Sequence, residues 1–238
     1  MTHAANIAIH VVFGTIALVI GFVPLVTPKG GRTHVRFGRW FLICLIVVIA
    51  TAVIGIVAFG FRAFLGVITM LAAYEAWSGY RVFAIRATGP RTLDALVSLG
   101  ALGAAVLFVV YLRSVQVPWA PVVIYSTLGT LVAVALYDLL RFALPNRWLA
   151  KSWFYEHLIK MMGAYTAIVS AFSGTVFARW QPYSQMAPSI IGSAAMIGFI
   201  VYHARAANSG RYIPTVIAAD NPDDNLRPAR SRTPERSA

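Results

Sequence analysis

Residues 10–41 read HVVFGTIALVIGFVPLVTPKGGRTHVRFGRWF, and this stretch decides the class of fold. Its first part is an apolar run, and its second part is a short basic loop that leads into another apolar run. About 20 mostly apolar residues are enough to cross a bilayer as a helix. The stretch therefore predicts one membrane span, a basic connection and the start of a second span.

The rest of the chain repeats this pattern. The 238 residues are 59% hydrophobic and 12% charged, whereas a soluble domain carries about a quarter charged residues. The composition, with a mean hydropathy of +0.72, excludes a soluble globular domain. We expect an all-α transmembrane bundle of seven spans, near residues 5–26, 40–59, 62–80, 94–112, 119–140, 154–177 and 187–205.

The basic residues indicate how the bundle is oriented. Sixteen Lys and Arg lie in the C-terminal segment and in the connections after spans 1, 3 and 5, against three in the other connections. Short cytoplasmic loops retain Lys and Arg. We therefore expect a multi-pass protein of the bacterial inner membrane with the N-terminus outside and the C-terminus in the cytoplasm. The positive charge is then explained by the topology. We expect the lipid bilayer to be the partner of this protein and expect no binding to nucleic acid.

The chain divides into a membrane domain, 1–206, and a tail, 207–238. The tail is rich in Pro, Arg, Asp and Ser, and has too little apolar surface to fold alone. We expect it to be mostly disordered, basic and cytoplasmic. The first apolar run lacks the basic n-region of a signal peptide and is predicted to be a retained span. The single cysteine, Cys44, excludes an intramolecular disulfide.

Ionisable side chains inside the spans are the candidates for a functional site, because they are costly in a membrane and usually face the protein interior. Most of them map to the cytoplasmic half: Glu75, Asp94, Asp138, Glu156, His157, Lys160 and His203, with His34 in the first basic loop on the same side. His10 is the exception, since span 1 begins at the outer surface. We therefore expect a polar and histidine-containing ligand cluster near the cytoplasmic face.

Helical spacing predicts where several of these groups point. His10 shares a face with small residues, which permits close helix contact, so it is either a packed histidine or a ligand or proton-handling group. A second face of small residues makes span 6 central: Gly163, Ala167, Ser170 and Gly174.

Two acidic residues, Asp138 and Glu75, are expected to form ion pairs with basic residues. Asp138 and Arg141 are three apart and share a helix face, which predicts a partly buried ion pair. Glu75 is expected to pair with an inner-leaflet arginine or with Lys160, the alternative being a proton relay.

Histidines raise the alternative of haem b or a metal ion. His157 lies near the inner end of its span and His10 near the outer end of span 1, so the two cannot share one iron. The set that geometry allows is His157 with His203 or His34. No HxxxH, HExxH or CxxCH motif occurs, so the signal for a cofactor is weak.

The same stretch resembles the opening of a family of bacterial predicted integral membrane proteins catalogued under a domain of unknown function. The resemblance rests on His10, Gly14, Gly21, Lys29-Gly30, His34 and Gly38-Arg39. The later segments YDLLRF and WFYEHLIKMMGAYTAIVSAF are also similar, at Asp138, His157, Met161 and Tyr165. It implies an integral membrane fold and singles out His10, His34, Asp138 and His157, but it implies no reaction.

Three functions compete. The first is a non-enzymatic membrane protein, accessory to another membrane protein or binding a small ligand in its inner polar cluster. The second is a b-type cytochrome or metal-dependent redox protein, and the third is a proton-coupled transporter using Glu75, Asp138 and His157. The chain has no nucleophile elbow and no phosphate-binding glycine loop, which argues against an enzyme.

Overall fold

A computed structural model describes residues 2–60, 62–114 and 120–208, and this part of the chain is helical throughout, without strands. It forms seven α-helices, which confirms the predicted all-α class: α1 His3–Val26, α2 Arg32–Phe59, α3 Ala63–Ile85, α4 Thr92–Ser114, α5 Pro121–Leu140, α6 Asn146–Val176 and α7 Tyr183–Asn208. Two short 3-10 turns follow α5 and α6. The predicted tail lies outside the described residues, apart from its first two, which end α7.

Five of these helices are long and apolar enough to cross a membrane: α1, α2, α4, α5 with its following turn, and α7. They carry many apolar side chains that no other part of the protein covers, as at Val57, Leu107 and Ile191, which are 81%, 70% and 69% exposed. Such surfaces are suited to lipid. The other two helices, α3 and α6, carry more polar and charged residues and are more deeply buried in the bundle.

Several helices extend beyond the apolar runs that predicted them. α2 begins at Arg32 rather than near residue 40, α3 continues to Ile85, and α6 begins at Asn146. The prediction that His34 lies in a loop is therefore wrong, because His34 is in the first turn of α2. An apolar run marks the part of a helix suited to hydrocarbon, whereas backbone hydrogen bonding continues into the charged flanks.

Packing places α3 and α6 at the centre. α3 lies between α6 on one side and α4 and α5 on the other, α1 pairs with α2, and α7 packs on α6. One apolar core joins the first half of α3 to the second half of α4, to α5 from Val123 to Ala135, and to Ala167 of α6. A second joins α1, α2, α3 and α6 around Ala17, Phe41 and Ala164, and includes the buried Cys44.

The small-residue faces act as predicted. Ala17 and Gly21 of α1 are buried against α2, with Gly21 beneath the rings of Phe41 and Tyr165. On α6, Ala167, Ser170 and Gly174 are buried, which confirms the central position of that helix. At one end of the bundle, ion pairs join the C-terminal ends of α3 and α5 to the N-terminal parts of α4 and α6.

Candidate functional site

Asp138, near the end of α5, is the centre of a buried polar network. Its carboxylate accepts a hydrogen bond from the Tyr74 hydroxyl at 2.8 Å and another from the Ser78 hydroxyl, both from α3. Lys160 of α6 forms an ion pair with it, and Arg141 Nη1 lies 3.8 Å away. The predicted Asp138–Arg141 ion pair is therefore confirmed, but it is fully buried and belongs to a larger group.

Arg141 extends this network to Glu156 of α6. Its Nε lies 3.0 Å from Glu156 Oε2, and both side chains are almost completely buried. The pair meets at ion-pair distance without hydrogen-bond geometry at those atoms. The other carboxylate oxygen of Glu156 accepts a hydrogen bond of 2.5 Å from the Ser152 hydroxyl. Arg141 thus links α5 to the first turns of α6.

A second ion pair joins α3 to the start of α4. Arg81 donates from Nε and Nη2 to the two carboxylate oxygens of Asp94, at 2.7 and 2.9 Å. Asp94 also accepts a hydrogen bond of 2.8 Å from the Arg91 backbone N–H. Ser98, one turn along α4, lies 2.8 Å from the Tyr74 hydroxyl and so connects this pair to Asp138.

Glu75 of α3 differs from the other buried carboxylates, because its Oε2 atom has no hydrogen-bond partner among the described residues. The residue is 3% exposed. Its carboxylate lies against Gly163 of α6, in the space that a side chain at that position would fill. Among the described residues Glu75 forms neither expected ion pair, since Asp138 holds Lys160 and Asp94 holds Arg81, although the Lys160 charge acts on Glu75 electrostatically.

We call these seven charged residues the ionic cluster: Glu75, Arg81, Asp94, Asp138, Arg141, Glu156 and Lys160. A cleft of about 10 Å³ lies beside it, lined by Trp77 and Tyr74 together with members of the cluster on α3, α4 and α5. This volume is about that of one water-sized probe. The cluster is therefore closely packed, with room for a species no larger than a water molecule.

Sequence reasoning missed the hydroxyl groups that complete this site. Tyr74, Ser78 and Arg81 are spaced by four and three residues along α3, so they share one face. That face meets α4 and α5, whereas Glu75 and Gly79 on the adjacent face meet α6. This spacing was the signal in the sequence that could have identified them. It is a weak signal, because tyrosine and serine are common in membrane helices.

The predicted cytoplasmic histidines lie beside this site, not in the ionic cluster. His157 Nδ1 is 2.9 Å from the Gly79 carbonyl oxygen, and its ring packs edge-on against Phe83. His34 Nδ1 is 3.1 Å from the Pro24 carbonyl oxygen. His203 is buried on α7 against the rings of Phe154 and Tyr202. Because a carbonyl only accepts, Nδ1 of His157 and of His34 carries the proton.

Metal binding finds no support in this arrangement. Within the ranges that the structure describes, no group of three or more His, Cys, Asp or Glu side chains is placed to hold a metal ion. The predicted sets, His157 with His203 or with His34, have two residues each, so a metal ion held by one of them stays a prediction. Haem held by two histidines stays a prediction.

His10 lies far from the cluster along the chain and joins α1 to α2. Its Nδ1 is 2.9 Å from the Thr51 hydroxyl oxygen, and the nearby Asn6 side chain donates to the Thr51 carbonyl at 3.1 Å. The prediction that His10 points into the bundle is confirmed, and its partners lie on α2, at the Thr51 hydroxyl and the Val48 backbone. Asn6, which is buried, was not singled out from the sequence.

Lys29 closes the C-terminal end of α1 from the connection that follows. Its ammonium group donates to the carbonyls of Pro24 and Leu25 at 2.7 and 2.8 Å and lies 4.9 Å from the centre of the Phe199 ring. Burial lowers the pKa of Lys29 to about 8. The unfolded chain holds this proton to higher pH than the folded chain does, so stability rises as pH increases through 8.

We expect the Lys29 amine to become reactive at lower pH than an exposed lysine. Competitive acetylation of the folded protein across pH 6 to 11, read by peptide mass spectrometry, should give Lys29 a midpoint near 8. Exposed Lys151 provides the reference curve in the same sample. Identical curves for the two lysines would contradict the effect of burial.

Comparison with protein-family profiles, with curated proteins and with solved structures finds no match to this chain. The resemblance to a family of bacterial predicted membrane proteins therefore stays a prediction. The fold itself, a helical bundle with five helices long and apolar enough to cross a membrane, supports the class of membrane protein.

Proposed function

We propose that this chain is a multi-pass protein of the bacterial inner membrane in which all seven helices cross, with the N-terminus outside and the C-terminus in the cytoplasm. Glu75 of α3 and Glu156 and Lys160 of α6 are buried against other helices, which a membrane tolerates. The basic connections after α1, α3 and α5 support the orientation. Cytoplasmic reporters fused after Gly60 and after Gly89 should differ in activity, and equal activity would contradict a crossing by α3.

We infer further that the protein is not an enzyme and binds a small ligand at the ionic cluster, the alternative being a role as an accessory to another membrane protein. The observation that carries this proposal is Glu75. Four carboxylates of the cluster face three cations among the described residues. This leaves one negative charge in a region of low dielectric, where an isolated charge is costly.

The size of the site limits the ligand. A cleft of about 10 Å³ beside the cluster holds one water-sized species unless helices move apart. A single positive charge would balance the cluster. A proton supplies this charge at Glu75 itself, whereas a bare monovalent cation would occupy the cleft, which Asp94 and Asp138 line and Glu75 does not. Hydroxyls of Tyr74, Ser78 and Ser98 connect the cleft to Asp138 and give a hydrogen-bonded route between α4 and the centre of the bundle.

Replacing Glu75 should have a different effect from replacing Glu156, although both are buried glutamates at the cluster. Glu75→Gln removes an unpartnered charge and should leave stability unchanged or higher, while ending stabilisation by protons or monovalent cations. Glu156→Gln leaves Arg141 with a weaker partner and should cost about 1–3 kcal/mol. Thermal unfolding in detergent with sodium, potassium or choline chloride at several pH values measures both.

A decisive signal comes from infrared spectroscopy. The carbonyl stretch of a protonated carboxyl group should be present in the native chain and absent from Glu75→Gln if the ligand is a proton. A midpoint of thermal unfolding that depends on sodium or potassium would identify a metal cation as the ligand instead. If the stability of the native chain and that of Glu75→Gln depend equally on pH and on cations, the proposal is contradicted. Should Glu75→Gln also end pH-driven uptake in proteoliposomes, the site belongs to a proton-coupled transporter.

A second candidate, haem b, is favoured by one observation. His157 and His34 both anchor Nδ1 on a backbone carbonyl, which leaves Nε2 as a free lone pair, and metal-ligating histidines commonly make such a second bond. Purified protein from haem-supplemented cells should then show a Soret band that is lost in His157→Leu. Absence of this band would exclude the haem function.

A further inference from the structure

The cytoplasmic extension of α2 carries a stripe of arginines that the interior site does not use. Arg32, Arg36 and Arg39 follow at spacings of four and three residues, so they share one face, and all three side chains are exposed. None of them forms an ion pair with an acidic side chain in the described part of the chain. Three positive charges are therefore concentrated on one helix surface without an acidic partner among the described residues.

The same face becomes apolar further along the helix. Val35, Trp40 and Ile43 are 40%, 54% and 49% exposed, and together with the arginines and Gly30 they line a groove of about 550 Å³. From Arg32 to Ile43 the groove runs about 16 Å along the helix axis. One end is thus cationic, and the other end is aromatic and aliphatic.

We propose that this groove binds one anionic phospholipid of the inner leaflet, with its phosphate among the three guanidinium groups and an acyl chain along Trp40 and Ile43. The inference rests on the proposed topology, which puts the start of α2 at the cytoplasmic face. Guanidinium groups match phosphate oxygens in bidentate pairs. Tryptophan is enriched where the headgroup layer meets hydrocarbon, and basic clusters at the cytoplasmic side select anionic headgroups.

Two other anions would use only part of this surface. Free phosphate would meet the arginines but leave the apolar end unoccupied. An acidic protein segment, such as one containing Asp223 and Asp224 of this chain, would likewise engage only the basic end. Trp40 and Ile43 follow the arginines along α2 and belong to its apolar run. An acyl chain can pack against these apolar side chains. The amphipathic order of the groove therefore favours a lipid.

Native mass spectrometry of the full chain, titrated with phosphatidylglycerol or phosphatidylcholine in detergent, tests this proposal. The native chain should retain phosphatidylglycerol in preference to phosphatidylcholine, and equimolar inorganic phosphate should not displace it. R32Q/R36Q/R39Q should weaken phosphatidylglycerol binding about a hundred-fold. The matched control R91Q/R147Q/K151Q removes three exposed charges elsewhere and should change binding little.

Equal loss in the control variant, equal retention of phosphatidylcholine, or displacement by inorganic phosphate would overturn the proposal. If the groove variant fails to fold, a photoactivatable phosphatidylglycerol on the native chain gives the answer, since cross-links should fall on the peptide containing Trp40 and Ile43, and cross-links elsewhere would overturn it. Failure here is distinct from failure of the topology. A reporter placing the start of α2 outside contradicts both, whereas a cytoplasmic result without lipid selectivity contradicts the lipid site alone.

Discussion

A chain in which Lys160 is replaced by methionine should be less stable than the native chain by about 3–5 kcal/mol. Lys160 is 2% exposed and pairs with Asp138 in the middle of the bundle. Methionine fills similar volume but leaves the carboxylate with Arg141 at 3.8 Å and two hydroxyl donors. Removing one partner of a buried ion pair lowers stability by more than the intact pair contributes to it. The reason is that the remaining charge stays in a region of low dielectric without its partner.

The double variant Lys160→Met with Asp138→Asn separates charge from packing. It removes both charges and keeps an amide oxygen that can accept from Tyr74 and Ser78, so it should recover most of the lost stability. Lys151→Met, on the exposed surface of the same helix, is the matched control and should differ from the native chain by less than about 0.5 kcal/mol. Denaturant titration in micelles, followed by tryptophan fluorescence, measures all four chains. A double variant no more stable than Lys160→Met would show that uncompensated charge is not the cause.

The helices could be predicted because a membrane helix corresponds to a long apolar block in the sequence. Each apolar block needs to be about 20 residues long, so their number and approximate positions can be counted. The ends could not be predicted in this way. α2 starts at Arg32 and α6 at Asn146, because their charged first turns continue the backbone hydrogen bonding outside the apolar run.

The site was predictable where it depends on local geometry. Asp138 and Arg141 are three apart, and any helix brings such residues together. Lys160–Asp138 and Arg141–Glu156 depend instead on which helices are neighbours, information that hydropathy does not carry. From sequence, Glu75 was as good a partner for Lys160 as Asp138 was. Packing decided between them, since Asp138 and Lys160 meet directly while Glu75 lies over Gly163.

The close contact of α1 with α2 and α6 at Gly21 should be sensitive to one methyl group. Gly21→Ala is expected to destabilise the chain by about 1–3 kcal/mol. A Cβ atom at this position would lie 2.6 Å from Phe41 Cδ2 and 2.8 Å from Tyr165 Cδ2. Neither ring moves freely, because Phe41 is buried in the core and the Tyr165 hydroxyl donates to the Leu18 carbonyl at 3.0 Å.

Gly14→Ala provides the control on the same helix. There the new methyl group meets only Val48 Cγ2, at 3.9 Å, an ordinary contact, and alanine has the higher helix propensity by up to about 1 kcal/mol. The control should therefore be as stable as the native chain or more so. Adding Phe41→Leu to Gly21→Ala opens space beside the methyl group and should recover part of the loss, although leucine fills less of the core. If both alanine variants lose stability equally, backbone effects in α1 would explain the result, and close packing of α1 against Phe41 and Tyr165 would not.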